Sequence, residues 1–144
     1  MTGIAFVVME PGSEWPGHVG VSETLVALKP GQDTVRCTRE RLAAFDRQRE
    51  HVQVAVLACN DATDPETADQ RIALGRELLA SITRAWHGRL VLTASAGRAS
   101  SRLRQHLLSL AETLTDELRG TSATVTLLFT ENKARAEHLP RHVN

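Results

Sequence analysis

The pattern of apolar and polar positions divides the chain into a strand-rich N-terminal part and a longer part in which strands and helices alternate. Residues 3–10 (GIAFVVME) form a near-continuous apolar run, the pattern of a strand buried on both faces. A Pro- and Gly-rich loop follows at residues 11–20 (PGSEWPGHVG), then a second strand at 21–29 (VSETLVALK). Lys29-Pro30-Gly31-Gln32-Asp33 is turn chemistry, because proline presets φ and glycine accepts positive φ. Residues 34–37 read as a short third strand, and the short connections predict antiparallel pairing among these pieces.

After Thr38 the rhythm changes. Thr38 is placed as the N-cap of a helix running to about residue 50, with Leu42 and Phe45 facing inward. Residues 52–59 (VQVAVLAC) read as a buried strand. Asp64 and Pro65 open a second helix, as N-cap and first helical residue. Ile72, Leu78, Leu79, Ile82 and Trp86 form its apolar face, and Gly88 follows where a helix-terminating glycine belongs. Residues 90–94 are the next strand. Ser100 or Ser101 caps a third helix with a stripe of Leu103, Leu107, Leu110, Leu114 and Leu118, ended by Gly120. Residues 123–129 (ATVTLLF) are the last strand. The remainder is polar and interrupted by Pro140, and reads as a short helix or a frayed tail.

These elements predict a single α/β domain over residues 1–130 with a polar C-terminal tail at 131–144. The expected architecture is a three-layer α/β sandwich. Its mixed sheet has antiparallel N-terminal strands followed by parallel strand–helix–strand units. The order of elements resembles the ribonuclease-H-like architecture with an extra strand at the end. That resemblance is one of topology, and topology alone does not give function.

Composition narrows the classes. Seventeen Lys and Arg balance seventeen Asp and Glu, which argues against a general nucleic-acid binder. Aromatic residues are 3% with no tyrosine, so stacking platforms for single-stranded nucleic acid or sugars are missing. Cys37 and Cys59 form no CxxC pair, and the six histidines show no metal-binding spacing, so no metal site is expected. The start of the chain has no basic segment before its apolar run. No apolar stretch approaches the ~20 residues of a membrane span. The expectation is a cytoplasmic protein. Heavy use of arginine over lysine, with abundant alanine, points to a bacterial, GC-rich genome.

Candidate chemistry follows from the parallel reading. Ligands of open α/β sheets bind outside the carboxyl ends of the strands. Residues 59–64, 93–101 and 130–132 should converge there. Ser95, Gly97, Arg98, Ser100 and Ser101 combine small hydroxyl side chains, a glycine and a helix N-terminus, a setting suited to an anion. No Asp or Glu occurs between Leu78 and Ala111, whereas Arg84, Arg89, Arg98, Arg102 and Arg104 do. Asn60 and Asp61 should face this segment across the edge, with Asp61 able to orient or deprotonate a ligand. Neither a Walker motif nor a GxGxxG fingerprint is present. The bland reading is that the serines cap a helix, Gly97 relieves a turn and the arginines solvate a surface.

Other constellations are incomplete. Thr93-Ala-Ser95-Ala-Gly97 nearly matches the G-x-S-x-G nucleophile elbow at a strand-to-helix turn, but Thr93 stands where the first glycine belongs. The acidic loop holds Asp61, Asp64, Glu66 and Asp69. Under the topological resemblance, Glu10, Glu40 and Asp61 would fall where a metal site is built; as ordinary structure, Asp64 caps a helix while Glu66 and Asp69 complement its dipole. Cys59 ends a buried strand and reads as core. His51 begins that strand at the wrong end of the sheet, and His87 lies at a helix C-terminus. Trp15 and His18 share the first loop, which reads as a surface turn ahead of a lid.

Two functions remain. The first is binding of an anionic small molecule, a phosphorylated one included, at Asn60, Asp61, Ser95, Gly97, Arg98, Ser100 and Ser101, with Asp61 and Ser95 the candidates for any catalytic role. The alternative is a non-catalytic interaction or regulatory module that homo-oligomerises or assembles with a protein partner. A ligand-sized pocket at the sheet edge, lined by Arg98, discriminates for the first. An exposed apolar patch elsewhere, especially an uncovered edge strand in the N-terminal ribbon, favours the second.

Overall fold

Five strands and three helices alternate along the chain in a computed structural model that describes residues 4–13, 22–27, 33–85, 87–97 and 99–130. The order is β1 (Ile4–Met9), β2 (Ser22–Ala27), α1 (Thr34–Arg47), β3 (Val52–Ala58), α2 (Pro65–Ile82), β4 (Arg89–Ser95), α3 (Ser101–Asp116) and β5 (Thr124–Thr130). The strands form one sheet in the order β2-β1-β3-β4-β5, and every pairing is parallel.

The expected antiparallel ribbon is therefore corrected. β2 lies parallel to β1 with Ile4 beside Ser22 and Met9 beside Ala27. Residues 34–37 are the first turn of α1 and not a strand. Asp33 caps that helix, its side chain accepting from the Arg36 N–H, so the N-cap lies five positions before Thr38. Twelve residues, 10–21, separate β1 from β2, enough chain for the crossover that parallel pairing requires.

The burial of the strands follows this topology. β2 to β3, β3 to β4 and β4 to β5 all step in the same direction across the sheet. Right-handed crossovers then deliver α1, α2 and α3 to one face. On that face Phe6, Val8, Leu57 and Leu92 meet Leu42 of α1, Leu74 and Leu78 of α2, and Leu103 and Leu107 of α3. On the other face Ala5, Val7, Val54, Val56 and Val91 form a separate small cluster. The third layer of the expected sandwich is not found among the described residues, which form a sheet with one helical layer.

Two helix caps agree with the sequence reading. Asp64 caps α2 with Pro65 following, and Ser100 caps α3, its side chain accepting from the Leu103 N–H at 3.1 Å. The leucine stripe of α3 is buried as expected. The inner face of α2 is rotated from the expected one. It buries Arg71, Leu74, Gly75, Leu78, Leu79 and Ile82, with Ile72 at its margin. Gly88 is needed for another reason than helix termination: a Cβ there would stand 2.2 Å from the Ile82 carbonyl oxygen. Trp15, His18, Trp86, Arg98, the turn at 28–32 and the tail at 131–144 lie outside the described residues.

Candidate functional site

Strand order reverses between β1 and β3. The chain leaves β1 toward β2 on one side and leaves β3 toward β4 on the other, so the loops after these strands diverge and open a crevice. Residues after β1 (Pro11, Gly12, Ser13), after β3 (Cys59, Asn60, Asp61) and at the end of β4 (Ala94, Ser95) line a cavity of about 150 Å³ there, closed from one side by Leu103 of α3. At roughly 30 Å³ per water this holds about five waters.

The floor of the crevice is fixed by one buried ion pair. Glu10 immediately follows β1, and Arg71 sits in the second turn of α2. The Arg71 Nε–H donates to Glu10 Oε2 at 2.8 Å and its Nη2 donates to Oε1 at 2.7 Å, a two-point geometry that suits guanidinium and carboxylate. The same guanidinium donates to the Ala62 carbonyl at 2.7 Å and to the Asn60 carbonyl and side-chain oxygen at 3.1 Å each. Glu10 also accepts from the Asn60 N–H at 2.8 Å, and Asn60 Nδ2 donates to the Pro11 carbonyl at 3.0 Å. The network thus ties the loop after β1 to the loop after β3. It places Asn60 and Asp61 at the rim and leaves the Arg71 charge neutralised and unavailable to a ligand. Burial, with the Glu10 carboxylate as the next contribution, pushes the Cys59 thiol well above its ordinary range. That keeps it protonated and inert.

The structure brings Asn60, Asp61 and Ser95 together around the cavity. Gly97, Ser100 and Ser101 lie beyond it, in the turn and at the start of α3, and Arg98 lies outside the described residues. Arg104 is held over the ring of Phe129 at 4.4 Å and donates to the Ala99 carbonyl. Arg104 is therefore engaged by β5 and by the turn that leads into α3. Among the described residues the cavity lining holds one carboxylate, Asp61, and no histidine or arginine. Among the described residues no base is hydrogen-bonded to the Ser95 hydroxyl, and His138 and His142 lie outside them. Glu10 is bound to Arg71, and Glu40 pairs with Arg36 on the surface. The set Glu10, Glu40 and Asp61 is accordingly not assembled, and among the described residues no three His, Cys, Asp or Glu side chains group as metal ligands.

Sequence reasoning missed Glu10 and Arg71 as a unit, although both left a signal. Arg71 falls on the helical repeat of Leu74, Leu78 and Ile82, the buried stripe of α2, and Glu10 closes an otherwise apolar strand. A charge in each of two buried elements calls for a partner.

No known protein family matches the chain, and no curated protein matches it. Among solved structures it is similar to a short chain dehydrogenase from Salmonella enterica serovar Typhi, with a TM-score of 0.53 and 17% identity, covering 84% of this chain and 61% of that one. It is also similar to a structure assigned as a short chain dehydrogenase from Pseudomonas syringae, with a TM-score of 0.52 and 19% identity, covering 86% of this chain and 62% of that one. The likeness is one of fold: a parallel α/β sheet. The chain spans about three fifths of the length of these structures. No described helix is long and apolar enough to cross a membrane.

Proposed function

We propose that this chain is a small-molecule-binding α/β domain whose site is the crevice at the carboxyl ends of β1, β3 and β4. The single observation that carries this reading is the cavity at the point where strand order reverses, the place where open α/β sheets hold their ligands. The ligand is a small anion of a few non-hydrogen atoms. Its negative group lies toward Ser95 and the turn that leads through Gly97 to Ser100 and Ser101, where the α3 dipole and the loop amides favour it, and the charge of Arg98, between them in sequence, adds to the pull. A hydrogen-bonding group lies toward Asn60 and Asp61. No reaction is assigned.

The dinucleotide chemistry that the structural neighbours' names imply is not carried over. A dinucleotide fold places a glycine-rich turn and a helix N-terminus against the pyrophosphate after the first strand. Here Glu10-Pro11-Gly12-Ser13 follows β1, and a buried carboxylate sits at the turn. The cavity is also about half the lower bound of ordinary ligand pockets, ~300 Å³.

A thermal-shift series with phosphate, phosphorylated metabolites and small carboxylates tests the reading. A ligand at about 100 times its Kd adds roughly 2.7 kcal/mol. That raises the Tm of a domain this size by several degrees. Ser95→Val and Arg98→Ala should each abolish the shift without lowering the ligand-free Tm. Silence from every anion overturns the proposal and leaves the alternative, an interaction module.

A further inference from the structure

Among the described residues β5 is the last strand of the sheet and pairs with β4 alone. Its Thr124 N–H donates to the Gly88 carbonyl at 3.0 Å, and its Thr130 carbonyl accepts from the Ala96 N–H at 2.7 Å. Backbone groups alternate sides along a strand, so Thr124, Thr126, Leu128 and Thr130 turn theirs toward β4. The N–H and C=O of Val125, Leu127 and Phe129 turn outward, and among the described residues no hydrogen bond reaches these six groups. The strand, TVTLLFT, has no charge, proline or glycine. These are the devices that ordinarily keep an edge from pairing. Of the three exposed large hydrophobic side chains among the described residues, one is on this strand and one lies beside it. Leu128, 43% exposed, projects on the side of the sheet away from the helices, and Leu108, 52% exposed, lies on α3. Leu108 is one turn beyond Arg104, which stacks on Phe129, so that flank of α3 runs beside β5.

We propose that the β5 edge is a self-association surface and that its occupant is a second copy of this chain, the two β5 strands running antiparallel about a two-fold axis at Leu127. The backbone itself favours this partner. With Leu127 opposite Leu127 of the second copy, Val125 falls opposite Phe129. All three positions become hydrogen-bonded pairs, and every outward N–H and C=O of both strands is used. Thr126 then stands opposite Leu128 of the other copy, with no charge confronting another. A two-fold contact closes on itself, whereas pairing β5 with the opposite edge, β2, would be head-to-tail and grow without limit. The two sheets join into one of ten strands, and the exposed flanks of α3 are brought to the seam.

Sedimentation velocity and light scattering on the full chain, from about 1 to 500 µM, test this, since so small a contact implies micromolar affinity. The mass should rise from 15.8 kDa toward twice that value. Thr126→Lys and Leu128→Glu, both at exposed side chains that leave the fold intact by circular dichroism, should each weaken association at least tenfold. An equimolar mixture of the two variants should regain much of it, because the new ammonium and carboxylate face each other across the seam. Amide exchange at Val125, Leu127 and Phe129 should slow as concentration rises. A monomer throughout the range overturns the proposal. A dimer indifferent to both substitutions, or one in which those three amides keep exchanging fast, overturns it equally by placing the interface elsewhere.

Discussion

Arg71 Nη2 stands 2.7 Å from Glu10 Oε1, with the two side chains 0% and 5% exposed. The contact joins α2 to the end of β1 and sets the floor of the crevice. Breaking such a pair by removing one member strands the other charge in the interior, a cost of about 3–5 kcal/mol. Arg71→Met alone and Glu10→Leu alone should each lower stability by that order in urea unfolding. The double substitution should cost clearly less than the sum, because no charge is then left unpaired. Additive losses would contradict the coupling.

The two cysteines should differ in reactivity. Cys37 is half-buried on α1, while Cys59 is buried and its thiol is held protonated by burial and the nearby Glu10. In the native state an alkylating reagent at pH 8 should modify Cys37 first and leave Cys59 unmodified until the chain unfolds. Mass spectrometry of the two peptides over time checks the order. Prompt labelling of Cys59 would show that the crevice opens more than its geometry implies.

Gly75 and Gly88 should rank differently as alanines. At Gly75 a Cβ would meet the end of the Leu114 side chain at 2.7 Å, a contact that side chain can relieve in part. Alanine also gains up to about 1 kcal/mol of helix propensity over glycine, so Gly75→Ala should be close to neutral. At Gly88 the obstacle is the Ile82 backbone carbonyl at 2.2 Å. Gly88→Ala must move the α2–β4 connection and should cost at least the 1–3 kcal/mol typical of overpacking. Melting temperatures of the two variants give the order directly.

His106 sets a pH dependence. Its Nε2 is buried with no hydrogen-bond partner among the described residues, and burial, then the nearby Arg71 charge, lowers its pKa from the ordinary value while Glu10 and Asp64 pull the other way. The folded state therefore disfavours the protonated ring. The contribution is fully present above the unfolded value of about 6.5 and is lost as pH falls through that value toward the lower folded one. His106→Gln should flatten the fall in stability between about pH 7 and pH 5 relative to the native chain. An unchanged slope would place the titration elsewhere.

Much of the fold was legible because its signals are local. The caps Asp64 and Ser100, the leucine stripe of α3 and the apolar runs of β1 and β3 each declare themselves within a few residues. The direction of β2 did not, since an apolar run carries no sign of which way its partner runs. The short third strand came from reading residues 34–37 apart from the Asp33 cap that begins α1. Of the candidate site, the convergence of Asn60, Asp61 and Ser95 followed from the parallel part of the sheet. The Glu10–Arg71 pair did not, because its members lie 61 positions apart, and only the packing of α2 on β1 shows that the two buried charges answer each other.

An all-parallel sheet also dictates how the chain must acquire its shape. No two neighbouring strands can zip from a tight turn, so each ladder waits for a whole crossover to be made and closed. β1 sits inside the sheet but is synthesised first. Its inner partner, β3, ends at Ala58, so a nascent chain must emerge well past that residue before β1 can be flanked on both sides. Refolding should accordingly be slow for so small a domain, in the millisecond-to-second range of topologies dominated by distant contacts.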